Sequence, residues 1–273
     1  MSNGQVLGII GCPILEDELV HAVRNDASIS RLIVVKGEDS ENLVRKLRAL
    51  EAHPPLEVIE ADKVPSVTSD GLTVLVIMKP MALHEDPETL RSEVLATAGL
   101  MAPVCRSILL FYGLCGNAFR DVGSISAAVG TPVTIISDDQ ERPVDDCIAA
   151  VLGGTEGYLR LLKRYPGVFY LTPGWAENWR TMMTKMELTR GIDGDDLGTI
   201  KWMFELAGYK LALKIQTGLG DQEGFDDRID EFIEVFGFQR KELESEMVTL
   251  DCIERSYAEA KSRLPRGETL RQN

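Results

Sequence analysis

Ile108-Leu109-Leu110-Phe111-Tyr112-Gly113-Leu114-Cys115-Gly116-Asn117 is an apolar run that breaks into a glycine-bracketed turn holding a thiol. An uninterrupted apolar run reads as a strand buried on both faces, the habit of parallel sheets. Two other stretches repeat the arrangement. Val6-Leu7-Gly8-Ile9-Ile10 leads to Gly11-Cys12, and Pro132-Val133-Thr134-Ile135-Ile136 is followed by Arg142-Pro143-Val144-Asp145-Asp146-Cys147. Open α/β sheets bind ligands beyond the carboxyl ends of their strands. Cys12, Cys115 and Cys147 are therefore expected to meet at one sheet edge, and a metal is the simplest reason to gather them.

Outward from these runs, strand and helix alternate. Strands are expected at about 5–11, 32–35, 56–59, 72–78, 107–112, 132–137, 168–171 and 210–215. Helices are expected between them, with Ser40 as the N-cap of the one carrying Leu43, Val44, Leu47 and Leu50, and with helical sequence continuing from Phe238. The 107–112 strand, the most apolar, is expected at the centre. This alternation implies right-handed crossovers. The predicted class is α/β and Rossmann-like, a mainly parallel sheet with helices on both faces. Residues 1–273 form one domain, divisible into two pseudo-related halves near 105–120, with a frayed tail at 265–273.

The 273 residues include 43 acidic and 29 basic ones, for a formal net charge of -14. Such a surface repels phosphate backbones and anionic lipid, which argues against nucleic acid and membrane as partners. No run approaches the roughly 20 apolar residues of a membrane span. Met1-Ser2-Asn3-Gly4-Gln5 lacks the basic start of a secretory signal. Five dispersed cysteines make a poor disulfide framework and fit reduced thiols. The expectation is a cytoplasmic protein acting on a small molecule. Cys105 and Cys252, without similar neighbours, read as packing residues.

Thiolates bind soft and borderline metals strongly, and binding lowers the thiol pKa. Three thiolates with a fourth position open have the form of a catalytic zinc site. His84, beyond the 72–78 strand, is the candidate fourth ligand. Glu16 and Glu18 begin the helix after Cys12, and Glu16 and Asp146 are the candidate catalytic carboxylates. Trp175 and Trp179 suit either an apolar wall over the site or a staple for the adjoining helices. Trp175 is the candidate cofactor contact. Against all this stands the ordinary packing role of cysteine, among the most buried residue types. His21 and His53 are assigned no role. The sequence has no close cysteine pair, Walker pattern, dinucleotide fingerprint or Gly-x-Ser-x-Gly elbow. A Cys–His dyad through His84 would leave two thiols unexplained.

Several phrases succeed one another across most of the chain: Gly11-Cys12 with acidic residues after it, Leu83-His84 before Asp86-Pro87-Glu88, Tyr112-Gly113-Leu114-Cys115-Gly116-Asn117, Asp146-Cys147-Ile148 with Leu152-Gly153-Gly154, and Tyr170-Leu171-Thr172-Pro173-Gly174-Trp175. Together they resemble a family known mainly as a domain of unknown function in archaea and bacteria. Its members are often encoded beside corrinoid-dependent methyltransferases of methylotrophic metabolism. The resemblance implies recurring cysteines at 12, 115 and 147, a role near methyl transfer, and a methyltransferase or corrinoid protein as partner. Relatives often carry His where this chain has Asp146, and often end with a further strand where this chain is polar and helical.

Two functions stand side by side. The first is a metalloprotein acting in methyl or small-group transfer, with zinc by default and a three-cysteine iron–sulfur cluster with an open iron as the inorganic alternative. The second is a noncatalytic protein that binds or delivers a corrinoid or docks on a methyltransferase. The chain lacks the Asp-x-His-x-x-Gly pattern of the usual cobalamin module, and its three histidines offer few axial ligands.

Overall fold

The computed structural model describes residues 4–50, 54–186, 191–193 and 196–265. His53 and the tail expected to fray, from 266 on, lie outside them. β1 (Gln5–Gly11), α1 (Glu16–Arg24), β2 (Ile29–Val35), α2 (Glu41–Arg48), β3 (Leu56–Ile59), β4 (Leu72–Met78), α3 (Pro87–Met101), β5 (Ser107–Phe111), α4 (Val122–Val129) and β6 (Val133–Ile135) build the first unit. Its six strands lie in the order β3-β2-β4-β1-β5-β6, every pair parallel.

Alternate residues of each strand feed opposite faces. Leu7, Ile9, Leu109 and Phe111 pack with α1 and α2 in one cluster. Val6, Ile10, Ile108 and Leu110 pack with α3 and α4 in another. Because helices cover both faces, the strands carry the unbroken apolar runs seen in the sequence. The result is the predicted Rossmann-like α/β fold. Cys252 and Cys105 are buried in these two clusters respectively, as packing residues.

The fold departs from expectation in two places. β5 is not central: β4 and β1 hold the middle, and β5 stands one place from the β6 edge. Its apolarity reflects helices on both faces rather than position in the sheet. Beyond β6, the chain leaves the large sheet. α5 (Cys147–Ala150), α6 (Thr155–Arg164), β7 (Val168–Leu171), α7 (Pro173–Lys185), α8 (Leu197–Leu206), β8 (Leu211–Lys214), α9 (Gln222–Phe236) and β9 (Gln239–Glu242) build around a separate three-stranded parallel sheet, β7-β8-β9. β9 replaces the helix expected beyond Phe238. Its sequence Gln-Arg-Lys-Glu has no apolar signal, because an edge strand can be fixed by backbone pairing alone. α10 (Asp251–Ser262) then returns to the first cluster of the large sheet. Residues 105–120 hold β5 and the turn after it, and the break between the sheets falls after β6.

Connectivity places the site. β1 leaves through α1 on one face, whereas β4 leaves through α3 on the other and passes over β1 to β5. The crevice beyond β1 and β4 is therefore the topological switch point, where open α/β sheets bind ligands. The second unit docks on this edge. Pro173 opens α7, whose N-cap Thr172 accepts from the Trp175 N–H at 3.3 Å. A Cβ at Gly174 would fall 2.0 Å from the Ile14 carbonyl oxygen, so the first turn of α7 lies directly on the segment after Cys12.

Candidate functional site

Each thiol is presented by a different local device. Cys12 follows β1 and turns at once into the 3-10 turn Pro13–Leu15, its carbonyl accepting from Leu15 N at 3.0 Å. Cys115 has left-handed backbone (φ 45), continued by Gly116 (φ 66) and Asn117 (φ 70). A non-glycine residue adopts that conformation only when its surroundings hold it there. Here Leu114 N donates to Val144 O at 2.8 Å and Cys115 N to Asp145 O at 2.9 Å. Gly113 permits the approach, since a Cβ there would lie 2.7 Å from the Asp146 backbone. The turn after β5 is thus fastened to the segment that presents Cys147. Asp146 caps α5, its Oδ1 accepting from the N–H groups of Ile148 (2.9 Å) and Ala149 (2.8 Å).

Cys12, Cys115, Cys147, His84, Asp146 and Trp175 all line one cavity of about 360 Å³. It opens at the carboxyl edge of the large sheet and is walled on its other side by α6, β7 and the start of α7. His84 Nε2 lies 3.2 Å from Glu85 Oε1. The two tryptophans divide the roles the sequence left open. Trp175 faces the cavity, and Trp179 is buried, donating to Glu231 Oε2 at 3.1 Å and fastening α7 to α9.

Glu16 is not brought to the cavity. Its carboxylate is buried between α1 and α2, with Lys46 Nζ at 3.4 Å and Asn42 donating to it. Burial raises Glu16 to about 7, against the downward pull of Lys46 and Asn42. The same Lys46 is 2.9 Å from Asp17 and 2.6 Å from Glu177 of α7.

Burial dominates the cavity's electrostatics. It pushes the Cys12 thiol up to about 12, with Glu16 and Asp39 adding to the rise. It also raises Cys115 and Cys147, and each thiol is close enough to Cys12 to be raised further by it. Trp175 acts on Cys147 in the opposite direction. Asp146 is raised too, by burial first, despite its two backbone donors. As they stand, the thiols are neutral groups. Among the described residues, no group of three or more His, Cys, Asp and Glu side chains is drawn close enough to hold a metal ion.

The cavity also has an aromatic wall that sequence reasoning missed: Tyr158, Phe169, Tyr170 and Tyr209 beside Trp175, with Tyr112 at the strand end. The Tyr112 hydroxyl donates to the Gly11 carbonyl at 3.3 Å, tying β5 to the base of Cys12. Tyr112 and Tyr170 carried a signal, since both close apolar strand runs at the edge where ligands bind. Tyr158 on α6 and Tyr209 in the loop before β8 carried none. Among the described residues, no helix is long and apolar enough to cross a membrane.

The family described as "Protein of unknown function (DUF1638)" matches residues 78–255. No curated protein and no solved structure matches the chain.

Proposed function

We propose that this chain, which belongs to the DUF1638 family by a match over more than half its length, uses its thiol-lined cavity as a small-molecule site with a soft-metal centre. Zinc is the default metal and methyl or small-group transfer the reaction class. One observation carries this: three cysteines, one just after β1, one in the turn after β5 and one at the start of α5, line a single cavity beside the topological switch point. Metal binding requires the thiols to draw closer together, since among the described residues their present placement forms no cage. It also requires their protons to leave, which a bound metal brings about by lowering the thiol pKa.

A zinc held by three thiolates supplies Lewis acidity at an open fourth position. His84 stands in the same cavity as a further donor, and Asp146 is the carboxylate placed to exchange a proton with a bound molecule. Glu16, held by Lys46 and Asn42, is outside that chemistry. All five cysteines are unpaired, which suits a reducing cytoplasm. A corrinoid protein or methyltransferase as partner rests on the resemblance alone.

The test is metal analysis with a visible spectrum on anaerobically purified protein. A colourless protein with stoichiometric zinc is expected. A brown protein with iron and sulfide would replace zinc by a cluster on the same thiols, and a metal-free protein that takes up neither would end the metal reading.

A further inference from the structure

The aromatic wall of this cavity has a geometry of its own. Phe169 and Trp175 cross at 86° with centroids 5.4 Å apart, Phe169 and Tyr209 at 60° and 6.1 Å, and Tyr158 and Tyr170 at 66° and 5.5 Å. All five rings line the cavity, and an aromatic ring offers a negative π face to an occupant that reaches it. Aromatic cages hold alkylated ammonium groups, whose charge is spread over apolar carbon.

Charge in the cavity points the same way. Among the described residues that line the cavity, Asp146 is the one carboxylate and there is no lysine or arginine. Its Oδ1 is taken by two backbone N–H groups, while Oδ2 accepts no hydrogen bond among the described residues. Two other buried carboxylates hold a cation: Asp17 has Lys46, and Asp138 has Arg142. His84, which also lines the cavity, stands beside Glu85 and is near enough to Asp146 to favour its charged form. A half-buried carboxylate with no lysine or arginine among the described residues around the cavity is open to a cationic occupant. The Tyr170 hydroxyl, in the same wall, is buried and has no hydrogen-bond partner among the described residues.

We propose that the aromatic wall and Asp146 bind a small organic cation, an alkylammonium, with the rings around its carbon substituents and Asp146 Oδ2 beside its charge. This rests on the small-molecule reading of the same cavity and is independent of whether the thiols hold metal.

The test is calorimetric titration with choline and with 3,3-dimethyl-1-butanol, its uncharged carbon analogue of the same shape. Choline should bind at least about tenfold more tightly. Asp146→Asn keeps the α5 cap, because asparagine accepts the same backbone hydrogen bonds, but removes the charge. In that variant the preference should fall below about threefold, and Trp175→Ala should weaken choline by about tenfold. Equal affinity for the two probes, no choline binding by the folded parent, or an undiminished preference in Asp146→Asn would overturn the proposal. Zinc content measured on the same samples separates the two claims. Zinc without choline binding sinks the cation site alone, and choline binding without zinc sinks the metal centre alone.

Discussion

Around Lys46, carboxylates of α1 and α7 converge on one ammonium: Asp17 at 2.9 Å, Glu177 at 2.6 Å and Glu16 at 3.4 Å. Around Cys147, two further thiols and Asp146 share a cavity that, among the described residues, no lysine or arginine lines. Both groupings lie where the second unit docks on the large sheet, and both bury ionisable side chains. They differ in compensation. Burial alone would lower Lys46, yet Asp17 and Glu16 raise it above its ordinary value, so the ion pairs prevail there. In the cavity burial prevails, and every thiol is raised. A compensated cluster is complete within the chain and fastens α1 and α2 to α7. In the proposed function, the cavity is completed by a metal or small molecule that enters.

Removing the central cation of the fastening should have the largest effect. Lys46→Met leaves three carboxylates at one buried point and should cost about 3–5 kcal/mol near neutral pH, read from urea unfolding. Part of the loss should return in acid, as Glu16, already raised to about 7, takes up a proton. A cost below about 1 kcal/mol would place these ions among weak surface pairs and erase the contrast.

Glu18 sharpens the same comparison on a smaller scale. It is buried on α1, its Oε2 has no hydrogen-bond partner, and burial followed by Asp17 raises it from 4.5 to about 8. The folded state therefore holds this proton more tightly than the unfolded chain. Stability from the group is full below about 4.5 and falls as pH rises through about 8. Glu18→Gln removes that loss. It should match the parent at low pH and exceed it above pH 8 by on the order of 1–3 kcal/mol. A difference between the two proteins that does not change with pH would contradict the assignment.

How each feature is encoded decides whether the sequence alone reveals it. The strands that carry Cys12 and Cys115, and the strand preceding Cys147, are legible because covered parallel strands need unbroken apolar runs. The turn at Gly113–Gly116 is legible because Gly113 meets the Asp146 backbone and Gly116 has positive φ. β9 is hidden because a polar edge strand is fixed by its pairing with β8, which leaves no mark in Gln239–Glu242. Ser40 has the sequence position of a helix cap, but its hydroxyl instead closes the preceding turn, bonding Gly37 N and O at 2.9 Å. Glu16 is a neighbour of Cys12 in sequence but does not line the cavity. Its partners Asn42 and Lys46 come from the next helix, and Glu177, which shares Lys46 with it, comes from the second unit, a pairing no local pattern records. The aromatic wall is hidden for the same reason, since Tyr158, Phe169 and Tyr209 reach the cavity only once the second sheet has docked.

The central claim is that the uncompensated thiols are a metal site and not packing residues. Metal content of Cys115→Ser, set against Cys105→Ser and the parent, tests it most directly. A serine hydroxyl stays protonated near neutral pH and is a poor ligand for a soft metal, while it nearly fills the space of the thiol. Cys115→Ser should fold and lose most of its zinc. Cys105→Ser, in the core beneath α3 and away from the cavity lining, should keep the parent's content. Equal metal in Cys115→Ser and the parent would contradict the account and return the three cysteines to the core.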